Sequence, residues 1–304
     1  MTWVLLLVAA LIAMPFTIEW MRDGLSEKYL KTAPGEFALL SQGQTHYEWL
    51  GPNRGPVALC IHGLTTPSFV WRGMAKGLAL MGFRVLVYDH YGRGYSERIK
   101  GKQDAAFFLQ QIDDLLLHEK VQEPLTVIGY SMGGAVATHF AAARPGLVKQ
   151  LVLIAPAGMQ HVMGKAATFA RDTPILGDWL FLMTYPRLLR KGIAAEAGLP
   201  GSVEGITALQ QTETDKRGYF PAVLSSLRGV LRDTTEEAHR AVAAAGIPVL
   251  AIWGAEDDVI PLAAREVLAE WNPSARHAVI ADAGHGVTYT HTDQVLEALR
   301  ASRS

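Results

Sequence analysis

The sequence is poor in cysteine and in clustered charge. Cys60 is its only cysteine, so the chain cannot form an internal disulfide bond, and its apolar neighbours predict that it is buried. The 28 Lys and Arg residues are balanced by 29 Asp and Glu residues, for a formal net charge of −1. Because no basic block is present, we predict no nucleic-acid partner. A length of 304 residues, 49% of them hydrophobic, suits one large domain or a domain with an insertion.

Charged side chains are missing from residues 2–18, which read TWVLLLVAALIAMPFTI. This length is near the lower limit for a membrane-spanning helix. A cleaved signal peptide would need a basic start and a small-residue cleavage site, and the segment has neither. A packed helix or lid would show a polar face, which is also missing. We therefore predict an anchor over residues 1–20 that contacts a membrane through residues 2–18, with a signal peptide or a packed helix as alternatives.

Basic residues follow this apolar segment, whereas none precedes it: Arg22, Lys28 and Lys31. Positively charged flanks tend to stay on the cytoplasmic side of a membrane. The flanks therefore predict that the rest of the chain lies in the cytoplasm, with export as the alternative.

After this segment, short apolar runs alternate with amphipathic ones. A hairpin is predicted at residues 36–41 and 45–50, with Gln42-Gly43 at its turn. Strands are predicted at 57–61, 84–88, 125–128, 151–155, 248–253 and 277–281, and helices at 71–81, 104–121, 133–143, 262–271 and 292–301. This alternation predicts an α/β fold with a doubly wound, mostly parallel sheet and helices on both faces.

The alternation stops between about residues 158 and 245, where helical pieces rich in Met and aromatic residues replace the buried strands. We predict one sheet domain, residues 36–157 and 246–304, that carries a helical insertion over residues 158–245. The aromatic side chains of the insertion indicate core packing, with a substrate pocket as the alternative.

A sharp turn joins the strand at 125–128 to an alanine-rich helix, and it reads Gly129-Tyr130-Ser131-Met132-Gly133. Such a turn exposes the serine, and its glycines remove side chains that would collide there. The amides and the dipole at the start of the helix favour negative charge beside the serine. Ser131 is therefore the candidate nucleophile. The pentapeptide alone is a weak signal, because chance produces it in roughly one chain in ten of this length.

A serine nucleophile needs a base, and the base needs an acid to orient it. Functional groups of a doubly wound sheet gather beyond the carboxyl ends of its strands. His285 follows the strand at 277–281 and is the predicted base, with His291 as its nearest rival. The strand at 248–253 is followed by three acids that adjacency cannot separate: Glu256, Asp257 and Asp258. The remaining histidines considered belong to the hairpin, to helices or to the insertion: His46, His118, His139, His161 and His239.

Five short motifs follow the predicted strands: His62-Gly63-Leu64, DHYGRGYS at 89–96, GYSMGG at 129–134, WGAEDDVIP at 253–261 and AGH at 283–285. They occur in the order typical of α/β-hydrolases, and the chain resembles that family over roughly residues 36–302. The resemblance implies that Asp257 is the acid and that the backbone N–H groups of Leu64 and Met132 form an oxyanion hole. It also implies that the insertion caps the site.

Other residues of these motifs have supporting parts in the expected site. His62 is expected to brace the loop that carries Leu64 rather than to act as a base. Gly63, Gly129 and Gly133 support the same site, while Asp89 and Arg93 are expected to fix a turn beside it, with substrate contact as the alternative.

The expected protein is a serine hydrolase that needs neither a cofactor nor a metal. Its expected reaction is cleavage of carboxylic esters with a small or medium apolar acyl group, through an acyl-enzyme on Ser131. An anchor would favour monoacylglycerol-like lipids. The resemblance leaves a carbon–carbon bond hydrolase of the meta-cleavage-product type, or a cofactor-free haloperoxidase or acyltransferase, as alternatives on the same residues. A catalytically inactive, membrane-tethered binding protein is the alternative from another class.

Overall fold

The fold is known from a computed structural model that describes residues 1–159 and 165–302. The chain begins with two helices and a hairpin: α1 (Thr2–Trp20), α2 (Glu27–Leu30), β1 (Glu36–Leu39) and β2 (Gln44–Leu50). Strands and helices then alternate through β3 (Val57–Ile61), α3 (Arg72–Leu80), β4 (Arg84–Tyr88), α4 (Ala105–His118), β5 (Leu125–Tyr130), α5 (Met132–Ala143) and β6 (Val148–Ile154). The second half contains α6 (Lys165–Asp172), α7 (Leu176–Ala195), α8 (Ile206–Glu213), α9 (Tyr219–Arg228), α10 (Glu236–Ala244), β7 (Val249–Gly254), α11 (Ala264–Trp271), β8 (Arg276–Ile280), α12 (Val287–Thr290) and α13 (Thr292–Ala301).

The eight strands form one sheet in the order β1-β2-β4-β3-β5-β6-β7-β8. β2 pairs antiparallel with β1 and with β4, while all other neighbouring strands are parallel. Strands such as β5 are buried along their whole length because helices cover both faces of the sheet. The predicted doubly wound, mostly parallel sheet is therefore confirmed.

Successive side chains of β5 enter opposite cores, as the period of a strand requires. Val127 belongs to the core that contains Phe140 of α5. Ile128 belongs to the core on the other face, together with Trp71 and the buried thiol of Cys60. The sheet thus holds the ends of its parallel strands in fixed positions. The predicted functional residues lie just beyond these ends.

Some element boundaries differ from those predicted from the sequence. β6 begins at Val148 rather than at 151, because Lys149 and Gln150 interrupt the apolar run while their backbone still extends the strand. β5 continues to Tyr130 and reaches the turn itself. α12 has only four residues and was not predicted, since so short a helix leaves no periodic pattern.

Between β6 and β7 the described chain is helical, and we call α6–α9 the helical insertion. The next helix, α10, packs against α5 and α11 and so lies in the helical layer that covers the sheet. The division of the chain into an anchor, a core and a cap stays a prediction. His161 lies outside the described residues.

The predicted apolar helix at the N-terminus is present as α1. An 18-residue window of α1 has a mean hydropathy of 2.0 and is 11% buried, so α1 is long and apolar enough to cross a membrane. Its second half packs against α7, where the indole N–H of Trp179 donates to the carbonyl of Leu11 at 3.1 Å. Only Pro15 and Glu19 of α1 are buried.

Candidate active site

Ser131 occupies the turn between β5 and α5 with a backbone φ of +53° and ψ of −120°. This region is costly for a residue with a side chain, so the surrounding structure must hold it. The Ser131 N–H donates to the carbonyl of Ile154 at 3.0 Å, and the Ser131 carbonyl accepts the N–H of Ala157 at 3.0 Å. Hydrogen bonds to the end of β6 therefore fix the strained turn.

The glycines around Ser131 are required by close backbone contacts. A Cβ on Gly129 would lie 2.3 Å from the carbonyl oxygen of Gly133, and one on Gly133 would lie 2.1 Å from the carbonyl oxygen of Ile61. A Cβ on Gly63 would lie 3.2 Å from the Cβ of Ser131. The turn after β5 and the loop after β3 can approach each other only without these side chains.

A chain of hydrogen bonds joins Ser131, His285 and Asp257. His285 Nε2 lies 3.0 Å from Ser131 Oγ, and His285 Nδ1 lies 2.8 Å from Asp257 Oδ2. An ionised carboxylate can only accept, so Nδ1 carries the proton and Nε2 accepts the serine hydroxyl. The imidazole is therefore oriented to take the proton of Ser131.

The carboxylate of Asp257 is held in place from its other side. Its Oδ1 accepts the backbone N–H groups of Val259 at 2.8 Å and Ile260 at 2.7 Å. The Asp257 side chain is 1% exposed, whereas that of His285 is 21% exposed and can be reached from solvent. Such an arrangement stabilises an imidazolium without freeing the acid to rotate.

The rival candidates lie elsewhere. Glu256 and Asp258 are exposed and make no hydrogen bond to His285 among the described residues. His291 Nδ1 lies 2.9 Å from the hydroxyl of Thr290. Four other histidines make no hydrogen bond to Ser131 among the described residues: His46 pairs with Asp89, His118 pairs with Glu119, and His139 and His239 lie on α5 and α10.

Two backbone N–H groups beside Ser131 have no hydrogen-bond acceptor within residues 1–159 and 165–302. They belong to Leu64, which follows Gly63, and to Met132, which is the first residue of α5. The first N–H groups of a helix lack partners inside the helix and carry its positive dipole end. Both N–H groups are therefore free to donate to a bound group, and the oxyanion hole that they are expected to form stays a prediction.

His62 holds the loop of residues 62–66, which we call the Leu64 loop. Its Nε2 accepts the backbone N–H of His90 at 2.9 Å, so its Nδ1 donates to the carbonyl of Gly63 at 2.8 Å. Burial lowers the pKa of His62 to about 4, and the ring is neutral near pH 7. Both ring nitrogens are thus used inside the fold.

Asp89 and Arg93 are buried beneath the Leu64 loop. Asp89 accepts the backbone N–H groups of Ser68 and Tyr95, each at 2.9 Å. Burial alone would raise the pKa of Asp89, but hydrogen bonding to His46 and its charge hold that pKa well below its usual range. The Arg93 guanidinium donates to the carbonyl of Leu64 at 3.1 Å. These two charged side chains fix the turn at 89–96 against the loop.

Three residues that contact the site were not predicted. The hydroxyl of Tyr130 donates to the carbonyl of His285 at 2.9 Å. From the helical insertion, the Tyr219 hydroxyl donates to the carbonyl of Thr65 at 2.7 Å, and Gln210 donates to the hydroxyl of Thr66 at 3.0 Å. Tyr130 could have been predicted because it directly precedes Ser131. No local sequence pattern indicates Tyr219 or Gln210.

In the described part of the chain, no three His, Cys, Asp or Glu side chains are grouped so as to hold a metal ion. The expectation that the protein needs no metal and no cofactor stays a prediction. A cavity of about 890 Å³ lies between α1, residues 97–103 and α9, with Phe16 and Trp20 on its wall and Ser131 outside it. Hydrogen bonds around Ser131, and not the size of a cavity, therefore mark the candidate active site.

Comparisons with known proteins agree with this fold. A family model described as "Serine aminopeptidase, S33" (Hydrolase_4) matches residues 52–289. A pimeloyl-[acyl-carrier protein] methyl ester esterase of Vibrio campbellii is 25% identical over 251 residues, which cover 79% of this chain and 92% of the esterase. A 2-hydroxymuconate semialdehyde hydrolase of Pseudomonas putida is 27% identical over 233 residues, 69% of this chain and 73% of that enzyme.

Among solved structures, a bacterial membrane phospholipase A has a similar fold, with a TM-score of 0.71 and 19% sequence identity. The superposition covers 99% of this chain and 96% of the phospholipase. The matched part therefore includes nearly all of the N-terminal region that precedes the sheet.

Proposed function

This chain belongs to the Hydrolase_4 family of α/β-hydrolases, and from that premise we propose that it cleaves carboxylic esters with Ser131 as the nucleophile. Membership of the family makes the chain a hydrolase. The observation that carries the proposal is the hydrogen-bonded series from Ser131 through His285 to Asp257.

Each residue of the proposed site has one part in the reaction. Ser131 attacks the acyl carbonyl while His285 takes its proton, and Asp257 stabilises the imidazolium that forms. The N–H groups of Leu64 and Met132 bind the oxyanion. His285 then protonates the leaving alcohol and activates the water that releases the acid.

Support for an ester substrate comes from the relatives. The Vibrio campbellii relative is by its name an ester hydrolase. We propose a small or medium apolar acyl group, and we place monoacylglycerol-like lipids first because α1 is apolar enough to hold the site at a membrane. The likeness to a membrane phospholipase A over 99% of the chain supports this order.

A second candidate function is hydrolysis of a carbon–carbon bond. The Pseudomonas putida relative acts, by its name, on a semialdehyde rather than on an ester, and its identity to this chain is no lower than that of the esterase. The same serine, histidine and aspartate would serve both reactions. A substrate panel separates the two.

The test is active-site labelling followed by turnover. A fluorophosphonate probe is expected to label the full-length chain at Ser131 and at no other residue. Ser131→Ala should abolish labelling and lower ester turnover by about 10⁶-fold, while circular dichroism and the melting temperature stay unchanged. No labelling of the folded wild-type protein would refute a serine hydrolase.

The substrate panel contains p-nitrophenyl esters of graded acyl length, a monoacylglycerol and a vinylogous diketone. We expect the highest kcat/KM with an ester. Faster cleavage of the diketone than of every ester would instead support the carbon–carbon hydrolase.

A further inference from the structure

A side chain holds each of the first four carbonyls of the Leu64 loop. Those of residues 62 and 63 accept from His90 at 3.1 Å and from His62 at 2.8 Å. The Leu64 carbonyl accepts from Arg93 at 3.1 Å, and that of Thr65 accepts from Tyr219 at 2.7 Å. The position of the Leu64 N–H is therefore set by side chains, because the loop belongs to no helix or strand.

The helical insertion supplies one of these donors directly. Tyr219 is the first residue of α9 and is fully buried. Its hydroxyl therefore has no bulk water to replace the Thr65 carbonyl as a partner. Ser226 of the same helix accepts from Arg93 at 2.8 Å, so α9 reaches the Leu64 carbonyl by a second route. A shift of α9 would move the two peptide groups that follow Leu64, which carry the carbonyls of Leu64 and Thr65.

The N-terminal region holds the start of α9. Glu19, at the end of α1, is 8% exposed although it is a carboxylate. Its Oε1 accepts the backbone N–H of Gly218 at 2.7 Å, and its other oxygen pairs with Arg22 at 2.8 Å. Gly218 is the residue immediately before α9, where its φ of +84° suits glycine. Glu19 thus fixes the backbone one residue before Tyr219.

Two backbone hydrogen bonds add to this junction. The N–H of Asp23 donates to the carbonyl of Asp215 at 3.0 Å, and the N–H of Arg217 donates to the carbonyl of Asp23 at 2.8 Å. The residues just after α1 are therefore bonded to the segment that leads into α9. Buried, charge-assisted and backbone hydrogen bonds of this kind fix geometry more firmly than exposed ion pairs.

We infer that Glu19 and Tyr219 are positioning residues for the hydrolysis, acting through Gly218 and Thr65 on the N–H of Leu64. The inference rests on the proposed function, because Leu64 matters only if its N–H binds the oxyanion. It makes α1 part of the catalytic unit in addition to any attachment to a membrane. Loosening α1 from α9 should weaken transition-state binding more than substrate binding.

Tyr219→Phe tests the inner part of this connection in the full-length chain, because it removes only the hydroxyl. We expect kcat for p-nitrophenyl butyrate to fall by about 3- to 10-fold, with little change in KM. The inhibition constant of a trifluoromethyl ketone should rise by the same factor. Ser131 adds to its carbonyl carbon and the proton passes to His285, which leaves an oxyanion for the Leu64 N–H.

Tyr47→Phe is the matched control. Its hydroxyl donates to Glu36 at 3.1 Å near the edge of the sheet, so it loses a comparable hydrogen bond away from Ser131. The control should change the melting temperature at most, and leave kcat and the ketone inhibition constant as in the wild type. Exhaustive fluorophosphonate titration normalises every rate to the amount of folded protein.

Glu19→Ala tests the outer part. It should also lower kcat. Glu19→Gln keeps an acceptor for the N–H of Gly218 and should retain more activity than Glu19→Ala. Because the two substitutions share part of one path, Glu19→Ala combined with Tyr219→Phe should lower kcat by less than the product of the two single effects. Glu27→Ala, which removes an exposed ion pair with Lys31, is the control and should behave as wild type.

Two results would overturn the inference: a folded Tyr219→Phe with unchanged kcat and inhibition constant, or strictly multiplicative effects of Glu19→Ala and Tyr219→Phe. Failure of the proposed function is distinguishable from both, because the wild-type protein itself would then fail to react with the fluorophosphonate.

Discussion

At the scale of single residues, Asp257 and Asp258 are neighbours with opposite environments. Asp257 is buried against His285, whereas Asp258 is exposed. Asp257→Asn should lower kcat by about 10²- to 10⁴-fold, because an amide cannot hold the imidazole in the required tautomer. Asp258→Asn should keep kcat within about twofold of the wild-type value, since an exposed carboxylate that makes no hydrogen bond to His285 contributes little. Steady-state kinetics of both variants decides, and a larger loss at Asp258 would move the acid to that residue.

A second prediction concerns His239 on α10 and the stability of the fold. His239 is 1% exposed, and neither ring nitrogen has a hydrogen-bond partner among the described residues. Burial lowers the pKa of His239 to about 3, so the folded state favours the neutral ring. Above the unfolded pKa of about 6.5 the ring is neutral in both states, and the free energy of unfolding does not depend on its titration. As the pH falls from about 6.5 toward 3, only the unfolded state binds the proton, and the free energy of unfolding decreases by up to ~1.4 kcal/mol per pH unit.

His239→Leu should therefore raise the free energy of unfolding by about 1 kcal/mol at pH 7, because it removes unpaired polar atoms. The difference from wild type should widen by about 2 kcal/mol at pH 5. Urea denaturation at both pH values measures it, with His118→Leu, a half-exposed histidine on α4, as control. Parallel pH dependence of the wild-type protein and His239→Leu would contradict the prediction.

Some residues of the candidate site could be predicted from the sequence and others could not, for a physical reason. The places of Ser131, Asp257 and His285 follow from parallel strands, whose carboxyl ends share one edge of the sheet. The choice of Asp257 over Asp258 also needed the resemblance to a family. Tyr219 reaches Thr65 only through the packing of α9, and no periodicity or spacing encodes that contact.

At the scale of elements, the turn between β5 and α5 depends on the absence of a Cβ at Gly133. A methyl group there would lie 2.1 Å from the carbonyl oxygen of Ile61 and 2.6 Å from that of His62, which are backbone atoms that cannot rotate away. Gly133→Ala should therefore destabilise the fold by about 3 kcal/mol and displace the Leu64 loop, with a loss of kcat. Urea denaturation and ester turnover measure the two effects.

Gly146→Ala is the matched control for this substitution. A Cβ at Gly146 would meet nothing within 4 Å. The control should leave kcat unchanged and alter stability by less than about 1 kcal/mol. Equal urea midpoints for the two variants would show that the turn tolerates a side chain.

Some elements could be predicted from the sequence with their exact bounds, and others could not. β3 and β4 were predicted with their observed bounds, because the apolar runs at 57–61 and 85–88 are each flanked by turn residues. The start of β6 and the short α12 were not, since exposed polar positions and a single helical turn carry no such signal. The contacts of α10 with α5 and α11 also depend on the folded sheet rather than on its own sequence.

At the scale of the whole molecule, we predict that α1 anchors the protein in a membrane. Leu7 and Val8 lie near the middle of α1 and are exposed, so a change there would leave the packed fold intact. Arginine at the centre of a membrane helix opposes insertion by about 2.5–3.5 kcal/mol per residue. The variant Leu7→Arg with Val8→Arg should therefore stay soluble, whereas the wild-type protein should sediment with membranes and resist carbonate extraction.

Leu39→Arg combined with Leu80→Arg is the matched control, because both are exposed apolar residues outside α1 and the variant adds the same two charges. It should sediment like the wild-type protein, which separates loss of an anchor from a general gain in charge. Mass spectrometry of the N-terminus completes the measurement. An intact wild-type chain in the soluble fraction would refute the anchor, and cleavage after α1 would show a signal peptide. Glu19 accepts a hydrogen bond from the residue that precedes α9, so loss of α1 should also lower activity. Ester turnover of the same fractions measures this effect.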